Sequence, residues 1–215
     1  MQKHSLRSIN GTRREFLIKG FLVSAGALLG GRGFAADEAE NHEHHHHGMN
    51  AGAVVTRSEV DIRVPQLKLI RDDGTTVEFP EEINDGRPIL LSFIYTSCTT
   101  VCPLTSQVLS QIQKMPGLER LHMISISIDP EYDTPTRLSD YAKRYGAGPG
   151  WQHYTGTLEA SIAIQKAFNA YHGDKMNHTP VTFLRRAPAR PWIRLDGFAS
   201  PEDVIHELQG QATGT

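Results

Sequence analysis

Residues Ile89-Leu90-Leu91-Ser92-Phe93-Ile94-Tyr95 form a nearly continuous apolar run of strand length. A strand of that composition offers no face to water, so it belongs inside a sheet covered on both sides. It runs straight into Thr96-Ser97-Cys98-Thr99-Thr100-Val101-Cys102-Pro103, which holds the only two cysteines of the 215-residue chain.

The segments around this run alternate in period. Val64 to Leu69 and Thr75 to Phe79 flank Asp72-Asp73-Gly74, a turn signal between two strand-like stretches, and predict a β-hairpin. Pro103 suits the first turn of a helix, and Leu104, Val108, Ile112 and Met115 recur at helical spacing up to Pro116. Leu121 to Ile128 is a second strand. Thr134-Pro135 opens a helix that runs to Tyr145 and stops at Gly146; Thr157 to Tyr171 is the next helix. Val181 to Leu184 and Trp192 to Leu195 are short strands, and Ser200-Pro201-Glu202-Asp203 caps a final helix. The order is hairpin, β, α, β, α, α, β, β, α. It predicts an α/β fold of thioredoxin-like type: a mixed central sheet flanked by helices, with an N-terminal β-hairpin.

Upstream, Arg13-Arg14 precede an uncharged stretch from Gly20 to Gly31, with small residues Gly33 and Ala35 beyond it. Charge, apolar core and small-residue exit in that order read as a twin-arginine export signal over residues 1–35. The expectation is a periplasmic protein that meets the Tat export machinery, or a membrane-tethered one if the signal is not cleaved. Residues 1–35 carry six Lys/Arg and one acidic residue, so without them the net charge falls from −2 to −7. An acidic domain argues against nucleic acid as a partner. Residues 36–59 read as a flexible arm containing His42, His44, His45, His46 and His47, either a loose auxiliary metal collector or a solvated spacer. The folded domain is expected over 60–215.

The cysteine pair invites chemistry. On a regular helix Cys98 and Cys102 would share a face, about 6 Å apart along the axis, close enough for a Cys98–Cys102 disulfide or for one metal ion. As a staple, a bridge closing so small a loop stabilises little. A helix N-terminus favours thiolate, the form that redox attack and metal binding both require. Two thiolates do not complete tetrahedral zinc, whereas two thiolates and an imidazole suit copper. His178, in Met176-Asn177-His178-Thr179-Pro180 ahead of the third core strand, is the chosen imidazole. His122 opens a strand, His153 follows Trp151 in a loop, His172 ends a helix and His206 lies on the last helix; all four are assigned to surface or core. Asp129, Tyr132 and Asp133 read as a partner surface or as a solvated turn before a capped helix, with no catalytic role.

Four ordered blocks carry a family resemblance: Thr96 to Pro103; Ser127-Ile128-Asp129-Pro130-Glu131-Tyr132-Asp133-Thr134-Pro135; Trp151-Gln152-His153-Tyr154-Thr155-Gly156; and Asn177-His178-Thr179. Together they resemble the SCO/SenC family of copper-binding, thioredoxin-like proteins, over about Val60 to Leu208. The resemblance implies one copper ion, Cu(I) or Cu(II), held by Cys98, Cys102 and His178. It also implies delivery to a copper-receiving protein such as an oxidase subunit, with another copper chaperone as a further partner. The basic turn Arg185 to Pro191 stands where such proteins often carry an Asp-rich one. Two other activities stay open on the residues alone. Cys98 and Cys102 are a redox pair if the protein is a thiol-disulfide reductase, and Thr99-Thr100-Val101-Cys102-Pro103 matches the T-x-x-C-P of thiol peroxidases.

Overall fold

A computed structural model describes residues 55–210. The export signal and the histidines of the arm lie outside the described residues. The strands are β1 (Thr56–Val60), β2 (Lys68–Arg71), β3 (Thr76–Glu78), β4 (Ile89–Ile94), β5 (His122–Ser127), β6 (Trp151–Thr155), β7 (Val181–Arg185) and β8 (Trp192–Asp196). The helices are α1 (Phe79–Glu82), α2 (Val101–Ile112), α3 (Pro135–Arg144), α4 (Leu158–Ala167) and α5 (Pro201–Gln209), with a 3₁₀ turn at Lys175–Asn177.

All eight strands join one sheet in the order β1-β8-β7-β4-β5-β6-β2-β3. β4 pairs with β5 in parallel and with β7 antiparallel, so the apolar run occupies the middle of a mixed sheet, and every residue of it is buried. Successive side chains alternate between faces. Ile89, Leu91 and Phe93 enter one core with Ile164 of α4 and Phe168. Leu90 enters the opposite core beneath Leu109 of α2 and Val204 of α5, and Ile94 joins Cys102, Leu138 and Tyr141. Ser92 is the one polar residue of the run. Its hydroxyl bonds that of Ser125, directly opposite on β5, which in turn accepts from the Trp151 indole. The buried hydroxyls are thereby satisfied. This is the thioredoxin-like arrangement read from the sequence.

The helix boundaries follow their caps. Thr134 and Thr157 accept from Arg137 and Ala160 amides, and Ser200 and Asp203 form a reciprocal capping box. Gly146 has φ +64, the left-handed conformation that ends α3. The hairpin is present as β2 and β3 around Gly74, shorter than expected, because Phe79 turns into α1 and buries there.

Four readings are corrected. β1 extends the sheet through Thr56–Val60, where residues up to 59 read as flexible arm; pairing with β8, not hydrophobicity, orders this half-exposed segment. Trp151–Thr155 is a strand, not a loop, and places His153 at 0% exposure. On α2 the buried stripe is Cys102, Ser106, Leu109 and Ile112; Leu104 is exposed. α4 ends at Ala167, so His172 lies beyond the helix.

Both ring nitrogens of His153 are buried without a hydrogen-bond partner, beside the Trp151 and Tyr141 rings. Burial pushes its pKa down from 6.5 to about 3. A depressed histidine pKa means the unfolded chain binds the proton first, so stability present above 6.5 is lost progressively as pH falls toward about 3. Urea unfolding across that range should show this slope, and His153→Phe should make it shallower.

Candidate metal centre

The chain leaves the sheet at the C-terminal end of β4 and must turn before α2 can start. The Cys98 amide donates to the Tyr95 carbonyl at 3.1 Å, closing that turn. Thr96 fixes its entry, since its amide and hydroxyl both donate to the Asp133 carboxylate. Only Cys102 is helical. Cys98 precedes the first turn, and its sulfur accepts the Cys102 amide at 3.4 Å. Thr100, at the N-cap, makes no side-chain cap. The Cys98 sulfur therefore serves an amide of the first turn that would otherwise be orphaned.

That contact divides the pair. Burial opposes the Cys98 thiolate, but the amides of Cys102 and Thr100 and the Tyr95 hydroxyl outweigh it, lowering the pKa from 9.0 to about 7. Cys102 is 1% exposed, between Ile94, Leu138 and Tyr141, and burial pushes its thiol well up. The Tyr141 hydroxyl pins the same turn, donating to the Cys102 carbonyl at 3.3 Å and meeting Ser106 Oγ at 2.7 Å. Both sulfurs are free thiols, so the reduced pair is described and no Cys98–Cys102 disulfide is formed.

His178 arrives from the other side of the sheet end. The β4–β7 ladder stops at Ser92 and Thr182, and the Phe93 carbonyl beyond it meets His178 Nε2 at 3.1 Å. A carbonyl only accepts, so Nε2 carries the proton and Nδ1 holds a lone pair. Nδ1 is buried and has no hydrogen-bond partner. Burial lowers the pKa of this imidazole, so it is neutral at pH 7. A neutral ring that donates through one nitrogen to a carbonyl and leaves the other vacant is the state of a metal-ligating histidine. A thiolate, a thiol that a metal can deprotonate and this imidazole make a soft donor set that fits copper. They are not yet gathered: among the described residues no three Cys, His, Asp or Glu side chains are placed to hold one ion.

Of the histidines set aside, His122 and His153 lie in the core, whereas His172 lines the same cavity as His178. His122 and His153 are fully buried, the first against Arg87 and Asp85, while His172 touches Thr179 at 3.4 Å in an exposed loop. Sequence reasoning missed three neighbours. Tyr95 ends the apolar run and faces Cys98; Tyr141 buttresses Cys102; Asp133, read as surface or solvated turn, is 0% exposed. Only Asp133 carried a signal, its place in the second block. Asp129 remains near the surface, paired with Lys175, and Tyr132 is exposed under the Arg137 guanidinium.

The family model described as SCO1/SenC matches residues 56–213. A protein of Stutzerimonas stutzeri named as copper-binding is 34% identical over 110 residues, 48% of this chain and 50% of that protein. The SCO1 protein homologue of Bacillus subtilis is 29% identical over 114 residues, 52% of this chain and 58% of its own length. The chain thus spans about half the length of these curated relatives. Among solved structures, a SCO1/SenC family lipoprotein of Bacillus anthracis superposes with a TM-score of 0.61 at 21% identity, over 71% of this chain and 96% of that one. The copper-bound ScoI of Bradyrhizobium japonicum superposes with a TM-score of 0.56 at 24% identity, over 66% and 94%. These superpositions show the shared fold.

The asymmetry of the thiols has a direct consequence. Cys98 is thiolate above about pH 7 and is lost as thiolate when pH falls through that value. Alkylation by iodoacetamide, followed by mass spectrometry, should modify Cys98 first. Its rate should rise through about pH 7 and level off, and Cys98→Ser should leave only slow reaction at Cys102.

Proposed function

Because this chain belongs to the SCO1/SenC family, we propose that it carries one copper ion on Cys98, Cys102 and His178 and delivers it to the copper centre of a respiratory oxidase or another cuproenzyme. The export signal read over residues 1–35 supports a periplasmic setting, reached by the twin-arginine route. One observation carries the reading: a vacant, unprotonated Nδ1 on His178, buried at the same sheet end as a preformed thiolate. The copper-binding name of the Stutzerimonas stutzeri relative supports the same cargo.

Loading proceeds by ligand exchange. Above about pH 7 Cys98 offers its sulfur without losing a proton. Cys102 releases its proton to solvent as the metal–sulfur bond forms, so affinity rises with pH. His178 enters neutral, its ring held by the Phe93 carbonyl. The copper keeps its oxidation state throughout, and unloading reverses these steps onto the recipient's ligands.

A second reading has its own support, since a low-pKa cysteine followed by a buried high-pKa partner is the division of labour of a dithiol reductant. The Cys98 thiolate would attack a substrate disulfide and expel one thiolate. Deprotonated Cys102 would then attack Cys98 and release the second sulfur. The protein pair loses two electrons and the substrate disulfide gains them. A peroxidase role fits poorly: the cysteine matching T-x-x-C-P is Cys102, which is buried and held as thiol.

Titrating the reduced protein with Cu(I) against a chromogenic chelator tests the first reading. One ion per chain is expected, with a loss of about tenfold or more in affinity for His178→Ala. An unaltered His178→Ala titration removes that residue from the ligand set. Insulin reduction tests the second reading, and no turnover with an excess of dithiol donor counts against it.

A further inference from the structure

Met176 is the most exposed large apolar side chain among the described residues, at 72%. Core packing does not account for it, and an exposed thioether is open to oxidation. Yet its backbone is tightly fixed. It lies in the 3₁₀ turn Lys175–Asn177, where the Asp174 side chain accepts the Met176 amide at 2.9 Å. The His178 amide donates to the Lys175 carbonyl at 3.1 Å, and the Lys175 ammonium pairs with Asp129 across the site. So anchored, Met176 Sδ lies 3.9 Å from the Tyr95 hydroxyl.

Tyr95 is also the residue whose carbonyl accepts the Cys98 amide and closes the cysteine turn. One tyrosine thus touches both segments, the cysteine turn through its carbonyl and the Met176 thioether through its hydroxyl. A neutral thioether has no proton to lose and no anionic charge to attract a hard ion. As a ligand it selects soft, monovalent metal.

We propose that Met176 is a further ligand for Cu(I), meeting the ion at the protein surface and sharing it with Cys98 while Cys102 and His178 close around it. The inference rests on the copper reading above and assigns that site an entry point. The ion arrives and leaves as Cu(I), so no electron is exchanged. Cu(II), a harder ion, gains little from the thioether.

Met176→Leu keeps nearly the same volume and removes the sulfur. Chelator competition with Cu(I) and with Cu(II) should show about a tenfold loss for Cu(I), the scale at which residues around metal ligands act, and an unchanged Cu(II) affinity. The methyl resonance of Met176 in ¹³C-labelled parent protein should shift with the first equivalent of Cu(I). Unchanged Cu(I) affinity in Met176→Leu overturns the proposal. So does an equal loss for both oxidation states, or a loss with an unmoved methyl, since either is a packing effect. Parent protein that binds Cu(I) while Met176→Leu matches it removes Met176 alone; parent protein that binds no copper removes the site reading as well.

Discussion

Asp133 sits at 0% exposure and accepts from the Thr96 amide, the Thr96 hydroxyl and the Ser127 hydroxyl, joining the ends of β4 and β5 at the point where both strands stop. An isolated buried carboxylate is costly, and three donors on one are what make it tolerable. The arrangement leaves Thr96 no freedom, so the chain enters the cysteine turn in one direction. From there the geometry is determined step by step: the turn closes onto the Tyr95 carbonyl, Cys98 faces the start of α2, and the Cys102 amide finds sulfur. The chemistry of the site is thus set by a carboxylate that takes no part in it.

The consequence is two unlike thiols in a four-residue interval. A helix N-terminus acts within its first turn, and the sulfur that receives the amide is the one outside the helix. Cys102, inside it, is surrounded by Ile94, Leu138 and Tyr141 and is held as thiol. Metal carriage and dithiol reduction both draw on this division, one by adding an imidazole and the other by forming a disulfide. His178 separates them, because dithiol exchange has no need of an imidazole with a vacant nitrogen.

Much of this was legible where local and global signals agreed. The run Ile89–Tyr95, the caps at Thr134 and Ser200 and the stop at Gly146 all required only their own neighbourhoods, and each appears as read. Segments that owe their order to partners were not legible. Thr56–Val60 is half-exposed and charged, and only β8 makes it a strand. Trp151–Thr155 follows Gly148-Pro149-Gly150 and mixes polar with aromatic residues, yet β5 recruits it and buries His153. On α2, Leu104 advertised an apolar position but is exposed, while the core takes Ser106 because Tyr141 supplies its hydroxyl partner. The cysteines were legible because their spacing is local. Tyr95, Tyr141 and Asp133 reach them only through the fold.

The distance still to be closed by His178 has a physical reading. The ring is held to β4 by a single hydrogen bond to Phe93, and its loop is tied across the site by the Lys175–Asp129 pair and the long Tyr95–Met176 contact. A surface ion pair is worth about 0–1 kcal/mol, and a hydrogen bond a net 0.5–1.5 kcal/mol, approximately. Structural metal binding to cysteine and histidine releases on the order of 10 kcal/mol. On the copper reading, the turn that carries His178 could be drawn onto the sulfurs as a unit, its internal hydrogen bonds kept, at small cost. A site fully assembled in advance would bind more tightly and release more slowly. Two sulfurs oriented by Asp133 and an imidazole tied to β4 by one hydrogen bond would suit the proposed carrier, which has to surrender its metal.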